Sequence, residues 1–208
     1  MDSVNDMMAA AWHRGQRTKR NNAIAAILSG GLPALGLAYR FPIHPLAWVG
    51  GFSAGLVWAN LFEYLYHRFL LHVPINFLML RHIQHHATLG KPDEADHVNF
   101  GGSPLDIFLL FLINGGPVVL LDWLVKGGFA PGVLIAFVIY FVAVEEIHWR
   151  MHLGGWLPPG FEKAKSFHLA HHHRPNSRYS VFLPVFDWLL GTTEERPRVA
   201  RPTRAASH

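Results

Sequence analysis

Four apolar blocks dominate a chain of only 208 residues: Ala23–Tyr39, Pro45–Tyr66, Pro104–Val125 and Ala130–Val144. Crossing a bilayer takes roughly 20 mainly apolar residues. The second and third blocks meet that length outright, and the first and last do so with their flanks. A chain this short has too little other sequence to cover four such helices in water. Charged residues make up only 15% of it, against about 25% for an ordinary soluble domain. The blocks therefore read as membrane-spanning helices. Ionisable residues gather at their ends: Glu63, Asp106, Asp122, Glu145 and Glu146.

Charge placement supplies an orientation. The net charge is +4, and a basic balance can signal nucleic acid. Here the cations are sorted by side instead. With the N-terminus inside, four spans return the C-terminus inside. Of 18 Lys and Arg, only Arg40 and Lys126 then fall in an outer connection. That is the positive-inside pattern, and it argues against a nucleic-acid partner. Residues 1–22 are basic and lack the apolar core of a signal peptide. They read as a cytoplasmic head, in part an interfacial helix. Residues 23–195 read as the membrane domain, and 196–208 as a disordered basic tail drawn to anionic head groups.

The same topology sorts the 15 histidines, of which only His44 is placed outside. Two histidine-rich segments follow the second and fourth spans. EYLYHRFLLH holds His67 and His72, RHIQHH holds His82, His85 and His86, EEIHWRMH holds His148 and His152, and FHLAHHH holds His168, His171 and His172. An α-helix turns about 100° per residue, so positions four apart share a face and positions three apart lie on its other flank. An H-x2-H-H triplet therefore spans two neighbouring centres, giving two rings to one and the third to the other. His148 and His152 suit one centre. His67 and His72 fall about 140° apart on an ideal helix, which assigns them to different centres or places them where a helix ends.

Ten imidazoles give five to each of two metals and leave an open position for oxygen or substrate. With no cysteine in the chain, ligation is by nitrogen and oxygen. Neutral imidazole suits iron, zinc, copper or nickel rather than magnesium or calcium. Open positions facing lipid favour iron and O2, although spacing alone leaves zinc available. A metal-binding membrane protein without turnover, such as a transporter, would place ionisable groups in mid-span.

At these four stretches the chain resembles the fatty acid hydroxylase superfamily, also called the sterol desaturase family. SVFLPVFDWLLGTTEE (Ser180–Glu195) is similar to that family's closing segment. The resemblance implies an all-α integral membrane protein with about four transmembrane helices. A cytoplasmic histidine-rich cap would hold a di-metal site, with the ten histidines above as ligands. It implies a non-haem di-iron oxygenase that hydroxylates a lipid C–H bond on a fatty acyl, sphingolipid or sterol-like substrate. A desaturase or a carotenoid hydroxylase would use the same histidine pattern. Zinc can replace iron in such proteins on purification.

Members often carry a fused cytochrome b5 domain. Nothing similar is present here, so electrons are expected from a separate reductase, cytochrome or ferredoxin. Glu63, Glu145, Glu146 and Asp187 are candidates to accept the second ring N–H of a ligand histidine. Phe62, Tyr66, Phe69 and Trp149 flank ligands and are candidates to wall an apolar substrate slot. His97 and His173 lie outside the four boxes and are read as non-ligands.

Overall fold

A computed structural model describes residues 2–41, 44–72 and 77–194. The tail expected at 196–208 lies outside them. Among the described residues every regular element is helical: α1 (Asp2–Ala26), α2 (Leu32–Arg40), α3 (Pro45–Leu65), α4 (Phe77–Ala87), α5 (Pro104–Val125), α6 (Ala130–Leu153), α7 (Phe161–His173) and α8 (Val185–Leu189). A short 3-10 turn covers Glu94–Asp96, and wide π turns cover Ile27–Gly31 and Tyr66–Leu71.

Among the described residues, four stretches are long and apolar enough to cross a membrane: Ser3–Arg40, Pro45–Leu71, Pro104–Val125 and Ala130–Leu153. They contain the four apolar blocks of the sequence. The first is longer than its block, because the basic head is itself helical and α1 runs through Asn22 without a break. The π turn between α1 and α2 has a local cause. Pro33 brings no N–H to the ladder, and Leu32 N–H reaches back five residues to Ile27 O. A wide turn absorbs that mismatch without ending the span.

The helix α6 is central and packs against α1, α2, α3 and α5. Most of its apolar window is buried, whereas the other three spans keep most of theirs outward. The outward residues are large and apolar, among them Leu35, Leu46, Ile113 and Trp123. A soluble protein rarely leaves so continuous an apolar surface; lipid is the solvent that suits it.

Small residues let α3 and α6 approach. A Cβ on Gly51 would stand 2.2 Å from Phe129 O, one on Gly132 2.2 Å from Trp48 O, and one on Gly55 2.8 Å from Ala136 Cβ. Small residues four apart on facing helices give close backbone packing in lipid, where the hydrophobic effect does not drive helices together.

Side chains cap the starts of two spans. Ser103 accepts the Asp106 N–H at the start of α5. Asp122 accepts the Phe129 and Ala130 N–H groups at the start of α6, at 3.1 and 3.0 Å. Each satisfies backbone donors that a helix start leaves open. At the far end α6 passes from Val144 into Glu145, His148 and His152, and so carries the polar site directly on a span.

Candidate metal centre

Helical register brings the ten histidines of the four boxes together. They fall into two groups, His67, His72, His82, His86 and His171 in one and His85, His148, His152, His168 and His172 in the other. Within each group one nitrogen of every ring lies within 4.8 Å of all the others. Each i,i+4 pair stays in one group: His82 with His86, His148 with His152, His168 with His172. The i+3 member of each triplet, His85 and His171, crosses to the other group. The groups adjoin, and His86 stacks on His172 with ring centroids 4.3 Å apart.

His67 and His72 lie in the same group, not at different centres. The physical reason is the π turn Tyr66–Leu71. Its i→i+5 winding brings residues five apart toward one side, and His72 sits just where that turn ends.

Nitrogen spacing fits a bound cation better than a hydrogen-bond network. His82 Nε2 lies 2.9 Å from Nε2 of His67, His72 and His86 alike. His168 Nε2 lies 2.9 Å from His148 and His152 Nε2 and 3.2 Å from that of His172. A neutral imidazole has one N–H, so it cannot supply donors to three such neighbours. Nitrogens about 2.1 Å from a shared ion and at right angles about it stand about 3.0 Å apart. Both ring nitrogens of His85 are buried without any hydrogen-bond partner, a further unmet polar demand that ligation would fill.

The rings are held in the form that ligates. Burial, with neighbouring imidazoles, holds His82, His85, His168 and His172 well below the ordinary histidine value. Burial pushes His72 and His86 down to about 4 and His171 to about 3. They are therefore neutral at physiological pH, as metal ligation requires.

The outer ring nitrogens have partners that orient them. His171 Nδ1–H donates to Ser177 O at 2.6 Å, and His67 Nδ1–H donates to Tyr179 O. These bonds leave both Nε2 lone pairs aimed into the first group. The segment that supplies both carbonyls is pinned by two buried carboxylates. Asp187 accepts from Tyr179 N, Ser180 N and Thr192 Oγ1. Glu63 accepts from Val181 N, Phe182 N and Tyr140 OH. Glu63 and Asp187 thus act on histidines through backbone.

Glu145 is tied to Asn22 Nδ2 and Gly101 N, and Glu146 to Lys19 and Arg150. Among the described residues, the carboxylate that meets a ring of either group directly is Glu94, absent from the sequence candidates: its Oε1 lies 2.8 Å from His152 Nδ1. The only hint in the sequence was the acidic run PDEAD after the second box.

Phe62 and Tyr66 line both an apolar groove of about 980 Å³ between α3 and α5 and a smaller inner cavity that reaches Glu63, Phe100 and Tyr140. Phe69 lines the groove. Trp149 corrects the expectation for the slot. It is buried against α1, edge-on to Trp12 with centroids 5.2 Å apart. The i+1 step from His148 turns it away from the histidine face. His97 lines the cavity beside His82 and His148 but belongs to neither group, and His173 is exposed at the end of α7.

Comparison with known proteins agrees with this architecture. A family model described as fatty acid hydroxylase matches residues 52–192. FAH2 of Arabidopsis thaliana, a dihydroceramide fatty acyl 2-hydroxylase, is 28% identical over 144 residues, covering 66% of this chain and 57% of that protein. A solved structure described as full-length scs7p, with only its hydroxylase domain visible, aligns with a TM-score of 0.56 at 23% identity, covering 80% of this chain and 61% of that one. That likeness establishes a shared fold. The chain spans less than two thirds of the length of either relative.

Proposed function

Because the chain belongs to the fatty acid hydroxylase family, we propose that it is an integral-membrane oxygenase that uses two iron ions to hydroxylate a C–H bond in the acyl chain of a membrane lipid. The observation that carries this reading is the pair of adjoining five-histidine groups above an apolar groove. The activity named for FAH2 supports an acyl chain, including that of a sphingolipid, as the substrate class.

Iron held by the two groups would supply the reductive activation of O2 needed to cleave an unactivated C–H bond. The chain's own part is placement. The groove and the inner cavity share Phe62 and Tyr66, and the inner cavity shares Phe100 and Gly101 with the cavity beside His67, His82, His85 and His148. An acyl chain entering from the lipid side follows that path, and the aromatic walls limit how its carbons reach the histidines. Ser177, Tyr179 and Glu94 fix the rings that face it. Two electrons per turnover come from a separate redox protein and two protons from water, one oxygen atom of O2 entering lipid and the other leaving as water. Sixteen of the 18 Lys and Arg fall on one side of a four-span topology, which supports an orientation with the histidines and both termini cytoplasmic.

The test is expression in a lipid-producing host with a competent reductase. Extracted lipids are compared by mass spectrometry with those from a His85→Ala variant. A histidine-dependent gain of one oxygen is expected. A loss of two hydrogens would make the protein a desaturase, and no histidine-dependent change would refute lipid oxidation.

A further inference from the structure

A further cavity, of about 640 Å³, lies between α1 and α6 away from the groove. One wall is a single face of α1, where His13, Gln16, Arg17, Arg20 and Ala23 recur at three- and four-residue steps. The other wall is Phe141, Val142, Glu145 and Glu146 of α6.

Two features define what fits it. The first is height. Asn22 Nδ2 bonds Glu145 Oε1 at 3.1 Å, which ties the polar limit of α1 to the polar limit of α6. On one side of that tie the cavity is lined by Arg17, Lys19 and Arg20 together with Glu146, and on the other by Ala23, Phe141 and Val142. It therefore straddles the boundary between head group and hydrocarbon.

The second is uncompensated charge. Glu146 is already flanked by Lys19 and Arg150, each at 2.6 Å, and Glu145 is engaged by Asn22 and Gly101. Arg17 and Arg20 are exposed, and among the described residues neither has a carboxylate partner. Two free guanidiniums one helical turn apart suit the oxygens of a phosphate, which Arg engages in fork geometry.

We propose that this cavity binds an anionic phospholipid, with its phosphate between Arg17 and Arg20 and an acyl chain against Phe141 and Val142. The site is independent of the chemistry at the histidines. It has a structural consequence for them, because α1 also holds the turn that carries Glu94. Arg14 pairs with Asp96 at 2.7 Å, and Gly15 lies so close that a Cβ there would stand 2.0 Å from Ala95 O. A lipid clamping α1 to α6 steadies that turn.

The test uses delipidated full-length protein in neutral detergent. Thermal unfolding and native mass spectrometry are followed with phosphatidylcholine alone, with added phosphatidylglycerol, and with inorganic phosphate. Phosphatidylglycerol is expected to raise the unfolding temperature and leave one lipid bound. An Arg17→Gln/Arg20→Gln variant is expected to bind it about 30-fold more weakly, corresponding to about 1 kcal/mol for each arginine near an anionic surface. Val142→Trp, which fills the apolar half from the other helix, should lose the bound lipid with both arginines intact. Lys163→Gln/Lys165→Gln, on α7, should behave as wild type. An undiminished response in the arginine variant, an equal loss in the α7 variant, or a full effect from inorganic phosphate alone would overturn the proposal.

Discussion

Replacing Glu94 by alanine should weaken one of two metals and leave the other in place. Glu94 Oε1 accepts the His152 Nδ1–H at 2.8 Å, and its Oε2 accepts Gly90 N–H at 2.8 Å. The side chains are 8% and 0% exposed, so water does not replace the lost acceptor. Leaving a buried donor unpaired costs about 1–3 kcal/mol. Loss of an acceptor behind a ligand histidine typically lowers metal affinity by about 10–100-fold, which is the same range in energy. The first group has no equivalent exposure to this change, because His67 and His171 rest on backbone carbonyls.

The assay is a chelator titration of the loaded protein with metal counted by elemental analysis. In Glu94→Ala one metal per chain should leave at about 10–100-fold lower chelator than the other. Glu94→Gln keeps an acceptor oxygen and should shift by less than about tenfold. A parallel shift of both metals, or no shift, would refute the reasoning.

Further outcomes follow from packing and protonation. Gly55→Leu has no room, because its Cβ alone would stand 2.8 Å from Ala136 Cβ and 3.0 Å from Val133 Cα; overpacking of about 1–3 kcal/mol should lower the unfolding temperature in detergent. Asp187→Ala strips the acceptor from Tyr179 N, Ser180 N and Thr192 Oγ1 and should cost at least about 3 kcal/mol, read by chemical unfolding. In metal-free protein the folded rings of His72 and His86 titrate near 4, below the value of about 6.5 for a free imidazole. The unfolded chain therefore takes up protons first as pH falls. Stability should be level above about pH 6.5 and decline as pH drops toward about 4. A flat unfolding profile across that window would contradict the buried, neutral assignment.

The spans and the histidine triplets were legible because each rests on one simple periodicity. Apolar length marks a span, and the 100° step of a helix lets a triplet divide two and one between neighbouring centres; that His82 goes with His86 while His85 crosses is read from the fold. The spacing of His67 and His72 left open different centres or a helix end; His72 does sit where the helix ends, but the shared group was not legible, because a π turn changes that step and nothing in YHRFLL announces one. Glu94 was hidden for a different reason. It sits in a non-periodic loop, and its meeting with His152 depends on α1 holding that loop from more than 70 residues earlier in the chain, through Arg14 and Asp96. Trp149 was misplaced because adjacency to His148 in sequence suggested adjacency in the site, whereas neighbours on a helix diverge. The sequence offered Glu63 and Asp187 as direct acceptors for ligand rings; in the fold they bind the backbone of 179–182 instead, an arrangement that only the tertiary structure brings together.

The central claim is that each five-histidine group holds one metal ion. Metal content per chain, measured by elemental analysis on protein purified with iron supplied, tests it most directly. Wild type should carry two ions. His82→Ala, which removes the ring facing three neighbours in the first group, and His168→Ala, its counterpart in the second, should each carry one. A content of two in either variant, or of none in the wild type, would contradict the account.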